Sequence, residues 1–599
     1  MSLVSFFLFD STAEGVTLIS TVAKRKNTMT VPDGVYMLDY GAGNVRSLIN
    51  SVRRMGFDIK VIGEAADFDK AERILFPGVG AFGSGMASLR SKGLEAPLRA
   101  YLASGRPFMG ICIGMQSLFA SSEENHGVAG LGLIDFPIAR FNDQAKTVPH
   151  MGWNAAHSAD QNRVSPFVNH YGDDTRYYFV HSYAAIVPEA AFDPAAKKDF
   201  LLPGGWSCTL TTYQDQTFIS SVQRGNIFAT QFHPEKSGSA GLKLLASFLN
   251  AETSTFTAET IPTTVPLSRA VAPHRLSRRI IACLDVRTND AGDLVVTKGD
   301  QYDVRETSGD KGVRNLGKPV DLGAAYFEAG ADEITFLNIT SFRGSVLADD
   351  AMLEVVARAS ERVFVPLTVG GGIRDLVDAA TGTVTATALE VAAEYFRKGA
   401  DKVSIGSDAV YAAEAFYRNG EKGDGRSSIE QISKVYGAQA VVISVDPKRV
   451  YVKTVEEARG HAVVEVPEVD AGPNGERLCW YQCTVKGGRE ARDLDVKQLI
   501  VACENLGAGE ILCNCMDKDG TNSGFDHALL KLVKDSVKIP VIASSGAGKA
   551  SHFTDVFRAT NVEAALAAGI FHRKEVAISE VKEELRRNGF EARRMDQAL

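Results

Sequence analysis

A chain of 599 residues with 45% hydrophobic and 23% charged residues has the size and composition of an ordinary globular protein with more than one core. Its net charge of −8 favours neither nucleic acid nor an anionic membrane surface as a partner, and no apolar run reaches the roughly 18 residues that a membrane span needs. The eight cysteines are scattered among apolar strands without paired CxxC spacing, which suits a reducing compartment and argues against a metal site.

Residues 1–34 combine an apolar start, Ser2 to Leu8, with a basic Lys24-Arg-Lys26, but Asp10 and Glu14 intervene. This reads as a disordered extension of a cytoplasmic protein, with a plastid signal left open. Residues 35–250 alternate short apolar strands with helix-like stretches, the pattern of an α/β domain. Within them, Phe108-Met-Gly-Ile-Cys-Ile-Gly-Met-Gln116 drives an apolar strand into Cys112, then into a helix-like Met115 to Phe119. Strand, sharp turn and helix make a nucleophile elbow, with glycines that let the chain turn and a substrate approach. A lone cysteine is more often a buried core residue. Here Gln231-Phe-His-Pro-Glu235 follows a second apolar strand, and on an extended backbone His233 and Glu235 point the same way. That suits a thiol nucleophile, a histidine base and an orienting carboxylate.

With these motifs stand Met37-Leu-Asp-Tyr-Gly-Ala-Gly-Asn44, Phe76-Pro-Gly-Val-Gly-Ala-Phe82, Pro149-His-Met-Gly-Trp-Asn154 and Tyr178-Phe-Val-His-Ser-Tyr183. Together they make the segment from about Val35 to Leu249 resemble a class I glutamine amidotransferase with a flavodoxin-like α/β fold. The set is most similar to the glutaminase of the imidazole glycerol phosphate synthase family. The resemblance implies glutamine as substrate, Cys112 as nucleophile, and an oxyanion region at Gly78, Val79 and Gly80.

Residues 251–277 are Thr- and Pro-rich without periodicity, which predicts a linker. The remainder, 278–599, repeats itself. The strand ending in Asp285 answers to that ending in Asp446, Gly330-Ala-Asp-Glu to Gly507-Ala-Gly-Glu, Val365-Pro-Leu to Ile539-Pro-Val, and, more loosely, Asp401-Lys-Val to Glu563-Ala-Ala. Four strand units, twice over, predict a (β/α)₈ TIM barrel of two half-barrels. Its excess length falls in Thr288–Asp321 and Lys448–Asp495. Barrel chemistry lies at the C-terminal strand ends, so Asp285 and Asp446 face each other across one mouth as acid/base candidates. Two glycine-rich clusters also face each other there, Gly370-Gly371-Gly372 with Gly406-Ser407, and Ser544-Ser545-Gly546-Ala547-Gly548 with Ala568-Gly569. Backbone N–H groups at such turns cradle phosphate, so a ligand with a phosphate at each end is expected.

This half resembles the cyclase of the same family, and the order glutaminase then cyclase is similar to the eukaryotic bifunctional form. The resemblance implies phosphoribulosyl-formimino-aminoimidazole carboxamide ribotide as substrate, with imidazole glycerol phosphate, aminoimidazole carboxamide ribotide and glutamate as products. It implies phosphate contacts at Gly372, Gly406, Ser407, Gly520, Gly546, Ala568 and Gly569, and Asp519 is expected to contact the substrate. Free ammonia would be lost as ammonium or by diffusion, so a dry conduit through the barrel is expected, and the family's closing ring of charges falls on Arg279, Glu333, Lys402 and Glu510. An intramolecular contact between the domains is expected, and His150 to Trp153 belong to it or to the glutaminase site, with Trp153 equally readable as core. Gly406-Ser407 and Asn338 depart from the Asn-Thr and Asp common in bacterial relatives, which points to backbone phosphate contacts and casts doubt on proton transfer at 338. No cofactor is expected. Three rivals compete: a pyridoxal phosphate synthase, for which Lys298 is the sole Schiff-base candidate near the first strand's mouth; the isomerase that makes this same substrate, which needs no glutaminase; and a non-catalytic scaffold, which would not need these residues together.

Overall fold

The computed structural model describes residues 34–41, 44–158, 167, 175–189, 202–252, 276–288, 294–296, 318–339, 350–378 and 381–594. The expected extension (except its last residue), most of the expected linker, and most of Thr288–Asp321, Lys298 included, lie outside the described residues.

The main strands of the first domain are β1 (Val35–Leu38), β2 (Lys60–Ile62), β3 (Arg73–Gly78), β4 (Phe108–Cys112), β5 (His150–Asn154), β6 (Tyr177–His181), β7 (Ser207–Tyr213), β8 (Gln216–Arg224) and β9 (Ile227–Thr230). Their principal sheet runs β2-β1-β3-β4-β9-β8-β7, parallel as far as β9 and antiparallel beyond it, while β5 and β6 pair with each other. The parallel strands are near-continuous apolar runs because both faces are covered. Alternate residues divide between two cores: Tyr36, Leu38, Ile74 and Phe76 on one face, Val35, Met37 and Leu75 on the other with helices α1 (Val45–Arg54) and α2 (Gly238–Asn250).

The second domain closes eight parallel strands into a barrel: β10 (Arg279–Thr288), β11 (Glu333–Asn338), β12 (Leu367–Gly370), β13 (Lys402–Ile405), β14 (Val441–Val445), β15 (Glu510–Asn514), β16 (Val541–Ser544) and β17 (Ala564–Ala567), with β17 pairing back to β10. The insertion after β14 folds into a four-stranded antiparallel sheet whose last hairpin, Leu478–Val485 with Glu490–Asp495, reaches back so that Lys486 N–H donates to Ser407 Oγ at 2.8 Å.

The first domain caps the N-terminal end of the barrel. Asn44 donates to Gly399 O and Asp401 Oδ1, both at 2.8 Å, and Lys236 pairs with Asp401 at 2.6 Å. The fully buried Trp153 donates from Nε1 to Asp332 O at 3.2 Å and lies under the Arg593 guanidinium, 4.2 Å from the ring centre. Asp332 anchors this contact: its buried carboxylate accepts from Ile280 N–H at 2.9 Å, Lys582 Nζ at 2.6 Å and Arg593 Nε at 2.8 Å. Substituting Asp332→Ala removes the buried carboxylate that Lys582 and Arg593 share. Chemical denaturation should then show a loss of about 3–5 kcal/mol; an unchanged transition would refute this role.

Candidate active site

Cys112 ends β4 with φ 54° and ψ −104°, a left-handed conformation that costs a non-glycine residue roughly 1–3 kcal/mol. The surrounding glycines are sterically required: a Cβ on Gly114 would lie 1.9 Å from the Phe76 carbonyl oxygen, and one on Gly110 would lie 2.6 Å from that of Gly114. The elbow's helix is shorter than expected, a single turn over Ile113–Gln116, and Phe119–Ser122 is a strand, not the continuation of that helix. His233 is extended as expected, at φ −99° and ψ 97°, but the backbone departs from the extended run directly after it. Pro234 opens a 3₁₀ turn, Pro234–Lys236, because its fixed φ suits a helical first position. The turn still brings Glu235 Oε1 within 2.8 Å of His233 Nδ1. Burial pulls the His233 imidazole towards neutrality; the Glu235 carboxylate and the Cys112 sulfur outweigh it and hold the pKa at about 10.

Two residues that the sequence reading passed over complete this cluster. Gln231 donates from Nε2 to Cys112 Sγ at 3.5 Å, and Gln116 donates to both Gln231 Oε1 and Tyr183 O, each at 3.1 Å. The Tyr183 carbonyl is also held from behind. Asn154 donates to His150 Nε2 at 3.4 Å, so His150 Nδ1 carries the proton towards His181 Nε2 at 3.3 Å, and His181 Nδ1–H donates to Tyr183 O at 2.9 Å. Both imidazoles are neutral, as burial requires: it drives His150 well below its ordinary pKa and His181 down to about 3. Gly78 pairs with Cys112 across β3 and β4, Gly80 takes φ 117°, and the Val79 carbonyl accepts from the Tyr40 hydroxyl at 2.6 Å.

Cys112, Gly80, Gln116, His181 and Tyr183 line a cavity of about 430 Å³. Its other wall is the barrel: Gly437 to Gln439, Gly507, Ala508 and Ile539, in the loops that enter β14, β15 and β16. Those loops carry no local signal in sequence; only the docking of the domains brings them here.

The barrel mouth holds a second cavity of about 300 Å³. Asp285, Asp446, Gly371, Gly372, Gly406, Ser407, Asp519, Gly520, Ser545, Gly546, Ala568 and Gly569, all singled out from sequence, line it together, as does Asn338. Burial raises Asp285, and the neighbouring Asp519 charge raises it further, to about 7. Burial also raises Asp446, against a lowering hydrogen bond from Asn514. In the second glycine cluster Ser545 and Gly546 both take positive φ, 72° and 92°, and a Cβ on Gly546 would lie 2.2 Å from the Gly524 carbonyl. Three basic residues, Arg374, Lys486 and Arg573, line the same cavity and carry no motif in sequence.

At the far end of the strands, Arg279, Glu333, Lys402 and Glu510 form one closed ring. Arg279 bonds Glu333 at 2.9 Å and also Glu510, and Lys402 bonds Glu333 at 2.7 Å and Glu510 at 2.6 Å, with all four side chains at most 2% exposed. Met151 of the first domain sits against this ring, its sulfur 3.6 Å from Lys402 Nζ.

A thiol–imidazole–carboxylate elbow docked beneath a carboxylate-bearing barrel defines a glutamine amidotransferase joined to a biosynthetic (β/α)₈ enzyme. Residues 36–251 match the family described as glutamine amidotransferase class-I, and residues 279–577 that described as histidine biosynthesis protein. The imidazole glycerol phosphate synthase hisHF of Emericella nidulans is 53% identical, covering 94% of this chain and 99% of that protein. That of Schizosaccharomyces pombe is 54% identical over 92% and 98%, and the chloroplastic one of Arabidopsis thaliana 52% over 93% and 89%. The chain belongs to the imidazole glycerol phosphate synthase family, in its bifunctional form, and is an enzyme.

The raised pKa of Asp285 has a consequence for stability. A carboxyl that ionises less readily when folded adds stability that is fully present below its ordinary value near 4 and is lost as pH rises through about 7. Asp285→Asn removes the ionisation. The variant should therefore be more stable than the parent at pH 8 by a few kcal/mol, the gap closing as pH falls towards 4. Thermal denaturation across that range checks it; a constant difference would contradict the assignment.

Proposed function

We propose that the first domain hydrolyses glutamine at Cys112 and that the barrel uses the ammonia to convert phosphoribulosyl-formimino-aminoimidazole carboxamide ribotide into imidazole glycerol phosphate and aminoimidazole carboxamide ribotide. The observation that carries this reading is one chain holding both the Cys112–His233–Glu235 cluster and, at the other end of the barrel, a cavity with two carboxylates between two glycine clusters.

Cys112 Sγ attacks the glutamine carboxamide, with backbone N–H groups at Gly78, Val79 and Gly80 stabilising the oxyanion. His233, oriented by Glu235, passes the thiol proton to the leaving nitrogen, so ammonia departs and a glutamyl thioester remains. Water activated by His233 hydrolyses the thioester to glutamate and restores the thiol. Ammonia crosses the ring of Arg279, Glu333, Lys402 and Glu510 and rises through the lumen. It adds to the ribulosyl ketone with loss of water, and Asp285 and Asp446 move protons during ring closure and release of the carboxamide ribotide. One phosphate rests at Gly371, Gly372, Gly406 and Ser407. The other rests at Gly520, Ser545, Gly546, Ala568 and Gly569, with Asp519 beside it.

The domain limits proposed are 35–250 and 278–599, with residues 1–34 an extension and 251–277 a linker. The onset of β1 at Val35 and of β10 at Arg279 supports them. Among the described residues no helix is long and apolar enough to cross a membrane. Scattered unpaired cysteines support a reducing compartment, the cytoplasm or a plastid.

The test separates the two sites. Cys112→Ala should abolish glutamine-dependent turnover, a loss of at least about 1,000-fold, while turnover with added ammonium salt survives. Asp285→Asn should abolish both routes and keep the fold. Loss of both activities in the cysteine variant would defeat the two-site reading.

A further inference from the structure

Asn514 ends β15, with its side chain in the barrel mouth. Its Oδ1 accepts from two hydroxyls, Ser544 Oγ at 3.1 Å and Ser545 Oγ at 2.6 Å. Its Nδ2 donates to Asp446 Oδ1 at 3.0 Å. With its oxygen taking both hydroxyls, the amide turns its N–H towards Asp446. In this orientation every bond is satisfied with Asp446 ionised. The flipped amide would set its oxygen against the carboxylate unless Asp446 carried a proton. Among the described residues Asp285 has no equivalent. Its side-chain neighbours are the weak Cys283 thiol donor at 3.9 Å and the negative charge of Asp519.

The same amide reaches the second glycine cluster. Ser545 is held at φ 72°, a strained conformation for a serine, and its hydroxyl makes the shorter of the two bonds to Asn514. Gly546 follows it directly. A ligand oxygen seated on this turn therefore bears on Ser545, through Ser545 on Asn514, and through Asn514 on Asp446.

We propose that Asn514 is a positioning residue that keeps Asp446 as the ionised base of the barrel reaction and ties it to the second phosphate cradle, leaving Asp285 as the proton donor. This rests on the reading of the barrel mouth given above and goes beyond it by dividing the proton-transfer roles. A donor to a carboxylate favours its charged form. Removing the donor moves the acid limb of the kcat profile, where the base becomes protonated, to higher pH.

The experiment measures ammonium-driven cyclisation of the bisphosphate ribotide against pH in the full chain, so that the glutaminase step is absent. Asn514→Asp is isosteric and replaces the donor with a second carboxyl. Its kcat at pH 7 should fall about 10- to 100-fold, its acid limb should rise by about one pH unit, and its KM should stay within about threefold. Ser545→Ala should shift the limb in the same direction by less and raise KM. Asn514→Leu should behave as Asn514→Asp does; if thermal denaturation shows that it does not fold, the isosteric variant decides alone. An unmoved acid limb, or a change confined to KM, overturns the proposal. Asp285→Asn and Asp446→Asn run alongside: if either keeps full ammonium-driven turnover, the reading of the mouth fails first. If both abolish turnover and the Asn514→Asp limb stays put, only the role of Asn514 fails.

Discussion

Residues two apart on a strand point the same way, and eight parallel strands closed on themselves turn that parity into an interior. On β10 the inward set is Arg279, Ile281, Cys283 and Asp285; on β15 it is Glu510, Leu512 and Asn514; beside them Val442 and Ser444 lead to Asp446. Each strand thus carries a charge or small residue at its start, an apolar or hydroxyl residue in the middle, and a functional group at its C-terminal end. The ring, the lumen and the mouth are three consecutive layers of one alternation. A one-residue slip of any strand would turn its whole inward set towards the surrounding helices.

The same parity operates once more, on β5 of the first domain. Met151 and Trp153 face the barrel, one against Lys402 and the other against Asp332. His150 and Asn154 face the opposite way and begin the chain of hydrogen bonds that runs through His181, the Tyr183 carbonyl, Gln116 and Gln231 to the Cys112 sulfur. One five-residue strand therefore has the barrel ring on one face and the thiol's supporting network on the other. The neutral state of both histidines matters here. A protonated His181 would have no acceptor for a second N–H towards His150, and the order of donors along the chain would be lost.

Much of this was legible because it is local or repeated. The Cys112 elbow, the His233–Glu235 pair and the glycine clusters are short motifs at strand ends, and the internal duplication paired Asp285 with Asp446. The geometry around His233 was misjudged because Pro234 favours a 3₁₀ turn over an extended run. Asn514 lies between two cysteines and matches no motif, although parity from Glu510 places it inside the mouth. Lys486 and the loops at Gly437 and Gly507 were not legible at all. They reach a cavity only through the docking of the insertion hairpin and of the first domain, contacts from 79 to hundreds of residues apart for which a single sequence has no pattern.

The order of the three layers bears on what can travel between the sites in the proposed relay. The ring carries two cations and two anions, so it presents no net charge, and each cation bonds both anions. Above it lies a band of Ile281, Val442, Leu512, Ile542 and Leu566. Ammonia is neutral and small, and entering that band costs it the desolvation of a polar molecule. Ammonium would enter without a counter-ion among apolar and hydroxyl side chains, at a far greater cost, and it has no lone pair with which to attack a ketone. A neutral ring followed by an apolar band therefore favours the nucleophilic form over the charged one. Proton transfer is deferred to the mouth, where the carboxylates stand.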